Sequence, residues 1–387
     1  MPPNHAHPLV TAPANAAVLA LLLAESPLSR VELARRTGLS STAVTKAARP
    51  LIDDGYLREL PPERTAPGAG RPVNPLTIVP DREFFVGVKI SADTLDGTVC
   101  DLQARMRARA HRPLGDRDPD AVCKLLADLV TELLDTEPEF RARTRHLGIA
   151  VSGDVDRRGG RVRYSVRPRW CDVPLAEIAT RATGLTVTVE NDVKALTTAE
   201  HWFGEGIGTG NFALVTIGSG IGSAVVVNGR LLTGAYGVAG ELGHVCVDPS
   251  GPRCHCGAVG CVEAIASSDA IVATVRRAVA VADPDLDFDG AVRLARGGDP
   301  AAREAFVRAG RAIGIGIATL VSLVGPERVV VTGEGLDAYD LFGTHIKEAY
   351  LAHCFKAAAA CPLTVRPLPW EEWARGAAVA GIQALFP

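Results

Sequence analysis

Three cysteines and a histidine lie within eight residues of the segment GPRCHCGAVGCVEA. Cys254, Cys256 and Cys261 stand among glycine and proline residues, in a loop whose turns let the three sulfurs converge. Three thiolates leave a tetrahedral zinc ion one ligand short. We expect a structural zinc site with His244 as the fourth ligand and His255 as the competing choice. The alternative is three unrelated core thiols, although glycine-rich loops bury cysteines poorly.

Composition indicates a globular protein of more than one domain. The chain has 387 residues, of which 47% are hydrophobic and 22% are charged. Its N-terminal segment has no early Lys or Arg and so does not resemble a signal peptide. The longest apolar run, from Ala312 to Gly325, is shorter than the roughly 20 residues of a membrane span and predicts a buried core helix. We therefore expect a cytoplasmic protein without a membrane partner, whose cysteines stay reduced.

The N-terminal part of the chain has the pattern of three helices followed by a hairpin. Ser29 and Glu32 form a capping box, and Ser40 begins a third helix. The runs YLREL and PLTIV predict strands, joined by a Pro/Gly-rich tip that carries Arg64 and Arg71. This order matches a winged helix-turn-helix, whose third helix enters the DNA major groove. The alternative is a small helical dimerisation domain followed by a flexible linker.

The third helix has two distinct faces. Small apolar residues form an inward stripe, and Pro50 is expected to bend the helix or restrict its first half. The outer face carries the candidate DNA contacts Ser41, Thr42, Thr45, Lys46 and Arg49. Arg71 on the wing would contact the phosphate backbone. The surplus of positive charge in this region is small, but it falls where phosphate contacts are needed.

Beyond residue 83 the sequence alternates between β-rich runs and helical segments, which predicts an α/β fold. Several of the runs, such as NFALVTIG and RVVVTGEG, end in glycine-rich turns. Phosphates or sugars approach the backbone at such turns. One polar segment, END at 190–192, could by itself be no more than a helix N-cap.

Taken in order, these segments resemble the ROK family (repressor, open reading frame, kinase), which contains sugar kinases and sugar-responsive repressors. The resemblance covers nearly the whole chain, and GAGRPVNPL resembles the wing of the repressor members. The other segments that carry it are ENDVKALTTAEHWFG, IGSGIGSAVVVNG, GELGH and the cysteine loop through Glu263.

The resemblance implies an actin-like, two-lobed ATPase fold behind the winged helix-turn-helix. The DNA-binding domain would span residues 1–80 and the sugar-kinase-like domain residues 81–387. Its lobes would be roughly 81–190 plus the C-terminal end, and 191–365.

The resemblance also implies the roles of individual residues. Asn191 and Asp192 would hydrogen-bond sugar hydroxyls, and in the kinases this aspartate is the general base. Glu241, His244 and Glu263 would contact the other side of the sugar ring. One structural zinc ion per chain would hold the loop that carries His244.

This sequence departs from the kinase members where ATP would bind. Those members have an aspartate and a Gly-Gly-Thr phosphate loop after the first strand, and an ungapped alignment places Lys89, Ser91, Ala92 and Asp93 there. Glu334 also lies inside a glycine turn that is expected beside the nucleotide. The resemblance therefore implies a domain that binds sugar without phosphorylating it, with no ATP cofactor.

The sequence thus predicts a DNA-binding transcriptional regulator, a repressor of carbohydrate uptake or metabolism genes. Its partners would be a palindromic operator and a sugar effector, and the protein would be a homodimer or tetramer. The alternative is an ATP-dependent, glucokinase-like sugar kinase with an added DNA-binding domain. A third possibility is a zinc-stabilised oligomerisation scaffold without a ligand.

Overall fold

The computed structural model describes residues 12–61, 74–278 and 285–386. Contacts between residues divide the chain into two compact units. The first consists of Met1–Ile207 together with Trp370–Pro387, and the second is Gly208–Pro369. The domain boundaries expected from the sequence, at residue 80 and near residue 190, stay predictions.

The N-terminal segment has the element order expected of a winged helix-turn-helix. Its elements are α1 (Pro13–Glu25), α2 (Arg30–Thr37), α3 (Ser41–Asp53), β1 (Leu57–Glu59) and β2 (Leu76–Ile78). The two strands pair antiparallel, with Leu57 opposite Ile78. The hairpin tip lies outside the described residues, and with it Arg64 and the predicted contact Arg71.

The helix ends of this segment follow the local sequence signals. The Ser29 side chain accepts a hydrogen bond of 3.1 Å from the backbone N–H of Glu32. The Ser40 hydroxyl accepts one of 3.2 Å from the N–H of Ala43 at the start of α3. Helix α2 ends at Gly38, whose φ of 71° lies in the left-handed region that favours glycine. The predicted serine caps are confirmed, whereas the Glu32 carboxylate of the expected capping box accepts hydrogen bonds from Arg35. Helix α3 continues through Pro50 to Asp53.

The rest of the first unit is an α/β layer. Its main sheet has the strand order β10-β6-β3-β4-β5, and a small sheet has the order β7-β8-β9. The strands are β3 (Phe84–Ile90), β4 (Thr94–Asp101), β5 (Met106–Pro113), β6 (Thr144–Val151), β7 (Asp154–Asp156), β8 (Arg161–Ser165), β9 (Trp170–Val173) and β10 (Thr186–Asn191). The helices are α4 (Pro119–Asp135), α5 (Pro138–Arg143), α6 (Leu175–Thr183), α7 (Asp192–Phe203) and, from the C-terminal end, α13 (Glu371–Ile382).

Two glycines let α13 lie directly on the main sheet. A Cβ atom at Gly87 would stand 2.0 Å from the backbone oxygen of Ala374, and one at Gly148 would stand 1.7 Å from that of Ala377. No side chain tolerates such distances, so the helix approaches β3 and β6 only because both positions are glycine.

The winged segment and this layer share one hydrophobic core. Val18, Leu19 and Leu22 of α1 are buried in the same cluster as Phe85 of β3 and Ile382 of α13. At the border the Tyr56 hydroxyl donates a 2.7 Å hydrogen bond to the Glu83 carboxylate, and burial raises the pKa of Glu83. The winged segment is therefore packed onto the α/β layer of the first unit.

The second unit is also an α/β layer, with strand order β13-β12-β11-β14-β15. Its strands are β11 (Phe212–Ile217), β12 (Ile221–Val227), β13 (Arg230–Leu231), β14 (Arg328–Thr332) and β15 (Leu363–Val365). Its helices are α8 (Val262–Ala266), α9 (Ser268–Ala278), α10 (Phe288–Arg296), α11 (Pro300–Val324) and α12 (Tyr339–His353). The α/β architecture expected from the sequence is confirmed.

The predicted core helix is α11. Among the described helices, it is the one long and apolar enough to cross a membrane, and 56% of its most apolar stretch is buried inside the structure. Glycines bring it close to α12, since a Cβ at Gly314 would stand 2.4 Å from the backbone oxygen of Ile346. The helix is packed as a core element of its unit.

Candidate functional site

The structure separates the two faces of α3 as the sequence predicts. The residues that face the core are Val44, Ala47, Ala48 and Leu51. The predicted DNA contacts Ser41, Thr42, Thr45, Lys46 and Arg49 are all exposed. Because side chains at base-edge and phosphate distance must protrude, this exposure is a requirement for a recognition helix.

The exposed polar side chains of α3 make only local hydrogen bonds in the described part of the chain. The Thr45 hydroxyl donates a 2.9 Å hydrogen bond to the Ser41 carbonyl, one turn earlier. Arg49 donates a 3.0 Å hydrogen bond to Asp53, and both side chains are mostly exposed. Exposed pairs of this kind contribute little, so the guanidinium can exchange this carboxylate for another anion.

In the first unit, Asn191 is the N-cap of α7. Its Oδ1 atom accepts a 3.1 Å hydrogen bond from the Lys194 N–H, and its Nδ2 atom donates one of 3.0 Å to the Gly153 carbonyl. Asn191 therefore has the helix N-cap role that was the alternative interpretation of the END segment. Glu190 supports it, because the Glu190 Oε1 atom accepts a 2.8 Å hydrogen bond from the Asn191 N–H.

Asp192, the next residue, is buried at the first position of α7. Its Oδ1 atom accepts a 2.9 Å hydrogen bond from the Val193 N–H. Its Oδ2 atom pairs with the Lys89 ammonium, and the two side chains are only 10% and 6% exposed. The Lys89 Nζ atom also lies 5.3 Å from the centre of the Trp373 ring, on its face.

The sequence did not predict the pairing of Lys89 with Asp192. The two residues are 103 positions apart and come from β3 and α7. Parallel strands bring them together, because β6 pairs with β3 on one side and with β10 on the other. The one available signal was a lysine inside an otherwise apolar strand, FFVGVKI, since a buried lysine needs a partner.

In the second unit, His244 ends a 3-10 turn over Leu242–His244. Glu241 precedes this turn and is exposed, whereas His244 is half-buried. The turn lies against β12, because a Cβ at Gly243 would stand 2.0 Å from the backbone oxygen of Ile221. Burial lowers the pKa of the His244 imidazole, which favours the neutral, ligand-binding form.

Glu263 is held by contacts to both of its carboxylate oxygens. Oε2 accepts a 3.0 Å hydrogen bond from the Ile221 N–H. Oε1 lies 2.6 Å from the Nε2 atom of His255. His255 therefore turns toward a predicted sugar-binding carboxylate, which the sequence did not indicate.

Four nitrogen and sulfur atoms converge beside this turn. The ligand atoms of His244, Cys254, Cys256 and Cys261 all lie within 4.8 Å of one another. The Cys254 Sγ atom is 3.6 Å from His244 Nδ1, and the sulfurs of Cys256 and Cys261 are 3.7 Å apart. Two sulfurs bound to one tetrahedral zinc at about 2.3 Å would be about 3.8 Å apart. The residues present therefore fit a zinc ion.

The backbone of the cysteine loop is shaped for this convergence. Gly257 and Gly260 have φ of 95° and 72°, and a Cβ at Gly260 would stand 1.6 Å from the Asp248 oxygen. Burial raises the pKa of the Cys261 thiol to about 12. A bound cation would reverse this effect, because metal binding displaces thiol protons.

The alternative ligand His255 belongs to a second group of four, with His244, Cys254 and Glu263. That group mixes one thiol with a carboxylate, whereas the three-cysteine set contains the soft ligands typical of structural zinc.

The fold and these sites define the class of the protein: a winged helix-turn-helix that shares a core with the first of two α/β units. The family model for a winged helix-turn-helix DNA-binding domain matches residues 17–58. The ROK family model matches residues 85–386. The chain belongs to the ROK family, and its α/β part has the actin-like sugar-kinase fold of that family.

Two curated relatives are regulators. The chain is 30% identical over 332 residues to the DNA-binding transcriptional dual regulator NagC of Escherichia coli K12, covering 84% of this chain and 81% of NagC. It is 26% identical over 320 residues to the xylose repressor of Bacillus subtilis strain 168, covering 83% and 82% of the two chains.

Two solved structures are similar in fold over most of the chain. One is a ROK family transcriptional regulator, a homologue of the E. coli MLC protein, with a TM-score of 0.79, 27% identity and coverage of 96% and 95%. The other is a ROK family glucokinase from Streptomyces griseus in complex with glucose and AMPPNP. It has a TM-score of 0.66 and 26% identity, and covers 78% of this chain and 99% of its own.

Proposed function

We propose that this protein is a sugar-responsive, DNA-binding transcriptional regulator that represses genes of carbohydrate uptake or metabolism in the cytoplasm. One observation carries the proposal: a winged helix-turn-helix with an exposed polar recognition face shares a core with a ROK domain. The relatives named as regulators, NagC and the xylose repressor, match more than four fifths of the chain.

DNA is bound through α3 in the major groove. Its exposed residues Thr45, Lys46 and Arg49 contact bases and phosphates, with Ser41 and Thr42 at its N-terminus. Arg71 on the wing contacts the backbone. A symmetric homodimer or tetramer reads a palindromic operator, because operator symmetry matches protein symmetry.

The sugar is bound by hydrogen-bonding side chains. These are the side chains of Asn191, Asp192, Glu241, His244 and Glu263. Carboxylates and imidazole are suitable partners for the hydroxyls of a sugar ring. One zinc ion per chain, held by Cys254, Cys256, Cys261 and His244, serves a structural role: it fixes the loop so that the Nε2 side of His244 is available to the sugar.

The domain binds sugar without phosphorylating it. A general base must accept a proton from the sugar hydroxyl, but the Asp192 carboxylate is already paired with a buried ammonium. After β3 the chain turns through Ser91, Ala92 and Asp93, where the Ser91 N–H donates to the Thr94 carbonyl at 2.9 Å. These side chains replace the glycines of a phosphate loop.

Two measurements on the purified protein test the proposal. A thermal-shift screen against monosaccharides and sugar phosphates should reveal a stabilising sugar, and that sugar should change the retardation of the protein's own promoter fragment. A coupled assay with ATP should show no phosphorylation of any sugar in the panel. Turnover with a hexose would favour the kinase alternative, and a protein that binds neither DNA nor sugar would favour the oligomerisation scaffold.

A further inference from the structure

Two glycine turns lie side by side at the carboxyl ends of two neighbouring strands in the second unit's sheet. Strands β11 and β14 are parallel neighbours, with Thr216 opposite Thr332. The first is followed by Gly218-Ser219-Gly220 and the second by Gly333-Glu334-Gly335. In open α/β sheets, ligands bind at the carboxyl ends of the strands, which is where both turns lie.

The Glu334 side chain lies directly on the first turn. Its Oε1 atom accepts a 2.8 Å hydrogen bond from the Ser219 N–H. A Cβ atom at Gly218 would stand 2.2 Å from the carboxyl carbon of Glu334 and equally close to Oε1. The carboxylate therefore occupies the space that the missing side chain of Gly218 leaves.

The backbone of the second turn, at Gly333, lies close to the end of β11. Gly333 has a φ of 112°, which favours glycine, and its own Cβ would stand 2.3 Å from the Ile217 oxygen. The two turns are thus in backbone contact, and the residue after Gly333 is directed at the neighbouring loop.

A backbone N–H in a glycine-rich turn is a donor suited to an anion, and phosphate oxygens commonly use it. Here the acceptor is a carboxylate of the same chain. The ROK glucokinase from S. griseus, which shares the fold, was solved with AMPPNP, a ligand with a triphosphate-like chain. The second unit therefore holds a fixed negative charge on a turn that is built to accept one.

We propose that Glu334 is an internal anion that occupies a phosphate-binding position on the 218–220 turn and so excludes the phosphate chain of a nucleoside triphosphate. The proposal rests on one part of the proposed function, namely that ATP is not a cofactor. It names a residue that prevents ATP from binding. It differs from the loss of the first phosphate loop, because it concerns the other unit. Removing the carboxylate should uncover a latent anion site.

The test is titration calorimetry of the full-length protein with Mg-AMPPNP. The parent should give no binding heat at millimolar nucleotide. Glu334→Gly should bind, with affinity raised roughly tenfold or more, because a like charge is removed and a backbone donor becomes available. Glu334→Gln should gain less, since its amide still fills the turn but carries no charge.

Glu327→Gln is the matched control. The Glu327 Oε1 atom also accepts backbone hydrogen bonds, of 2.7 Å from Gly210 and 3.0 Å from Asn211, but at the opposite ends of β11 and β14. This variant should gain no nucleotide affinity. If Glu334→Gly does not fold, Glu334→Gln carries the test.

Two outcomes overturn the proposal. One is a parent that binds Mg-AMPPNP as tightly as the Glu334 variants, and the other is the absence of a gain in the folded Glu334 variants. Operator retardation and its response to sugar, measured on the same preparations, report on the proposed function separately.

Discussion

The buried ion pair between Lys89 and Asp192 makes the sharpest prediction about stability. Lys89→Met removes the ammonium but keeps a long apolar side chain of similar shape. Asp192 then keeps the hydrogen bond from the Val193 N–H, and its buried carboxylate loses the counter-charge that Lys89 supplies.

The expected cost follows from the burial of both partners, whose side chains are 6% and 10% exposed. Removing one member of a buried pair costs about 3–5 kcal/mol, because the remaining charge is left unpaired. Loss of the contact with the Trp373 ring adds up to about 2 kcal/mol because the ammonium is desolvated, and burial of the methionine side chain offsets part of this cost. We expect Lys89→Met to lower the free energy of unfolding by about 3 kcal/mol.

The double variant Lys89→Met/Asp192→Asn separates the charge from the packing. It leaves two neutral groups in the same space, so it should be more stable than Lys89→Met alone. The two substitutions should be coupled by about 1–3 kcal/mol, the range measured for directly contacting residues.

Tryptophan fluorescence in a denaturant titration follows the unfolding of the first unit, which contains Lys89 and Asp192. The four tryptophans are Trp170, Trp202, Trp370 and Trp373, and all belong to the first unit. In Lys89→Met the denaturant concentration at the midpoint should be lower than in the parent. The dependence of the unfolding free energy on denaturant should be unchanged, because the surface exposed on unfolding is the same. Lys124→Met, on the exposed side of α4, is the control and should change stability by less than about 0.5 kcal/mol.

The reasoning is refuted if Lys89→Met costs less than about 1 kcal/mol. Strict additivity in the double variant would refute it as well, because groups that share a buried ion pair cannot be independent.

Three further predictions concern the proposed sites. Replacing Thr45, Lys46 and Arg49 together with alanine should abolish retardation of the promoter fragment and leave the sugar-induced thermal shift intact; unchanged retardation would remove α3 from the interface. Elemental analysis should find one zinc per chain in the parent and none in Cys256→Ser, and a full equivalent in the variant would show that the ligand set is wrong. Asp192→Asn also leaves the Lys89 ammonium buried without its partner and should destabilise the first unit. At a temperature where the variant is folded, it should bind sugar more weakly by about 1.5–3 kcal/mol and bind the operator normally without sugar, so a response at the parent's sugar concentrations would place Asp192 outside the sensing site.

Strands with apolar runs were predictable, whereas polar edge strands were not. The runs that became β3, β6, β11 and β14 are buried on both faces and so are nearly continuous in apolar residues. Strand β5, MRARAHRP, was missed because it is an edge strand with alternate residues exposed. Its signal was the period-two alternation of arginine with alanine, which is weak when every second residue is charged.

What the sequence determined by itself was local. The caps at Ser29 and Ser40, the two faces of α3 and the convergence of Cys254, Cys256 and Cys261 all involve residues close together in the chain. Their geometry follows from helix periodicity and from glycine turns, which operate over a few residues.

Only the tertiary structure decided which distant charges meet. The pairing of Lys89 with Asp192 depends on the order of three parallel strands, and the placement of Glu334 on the Gly218 turn depends on β11 lying beside β14. Strand order is set by the packing of the whole unit. A charged residue in an apolar segment of the sequence indicates only that its side chain needs a partner when it is buried. Which partner it finds is determined when the sheet forms.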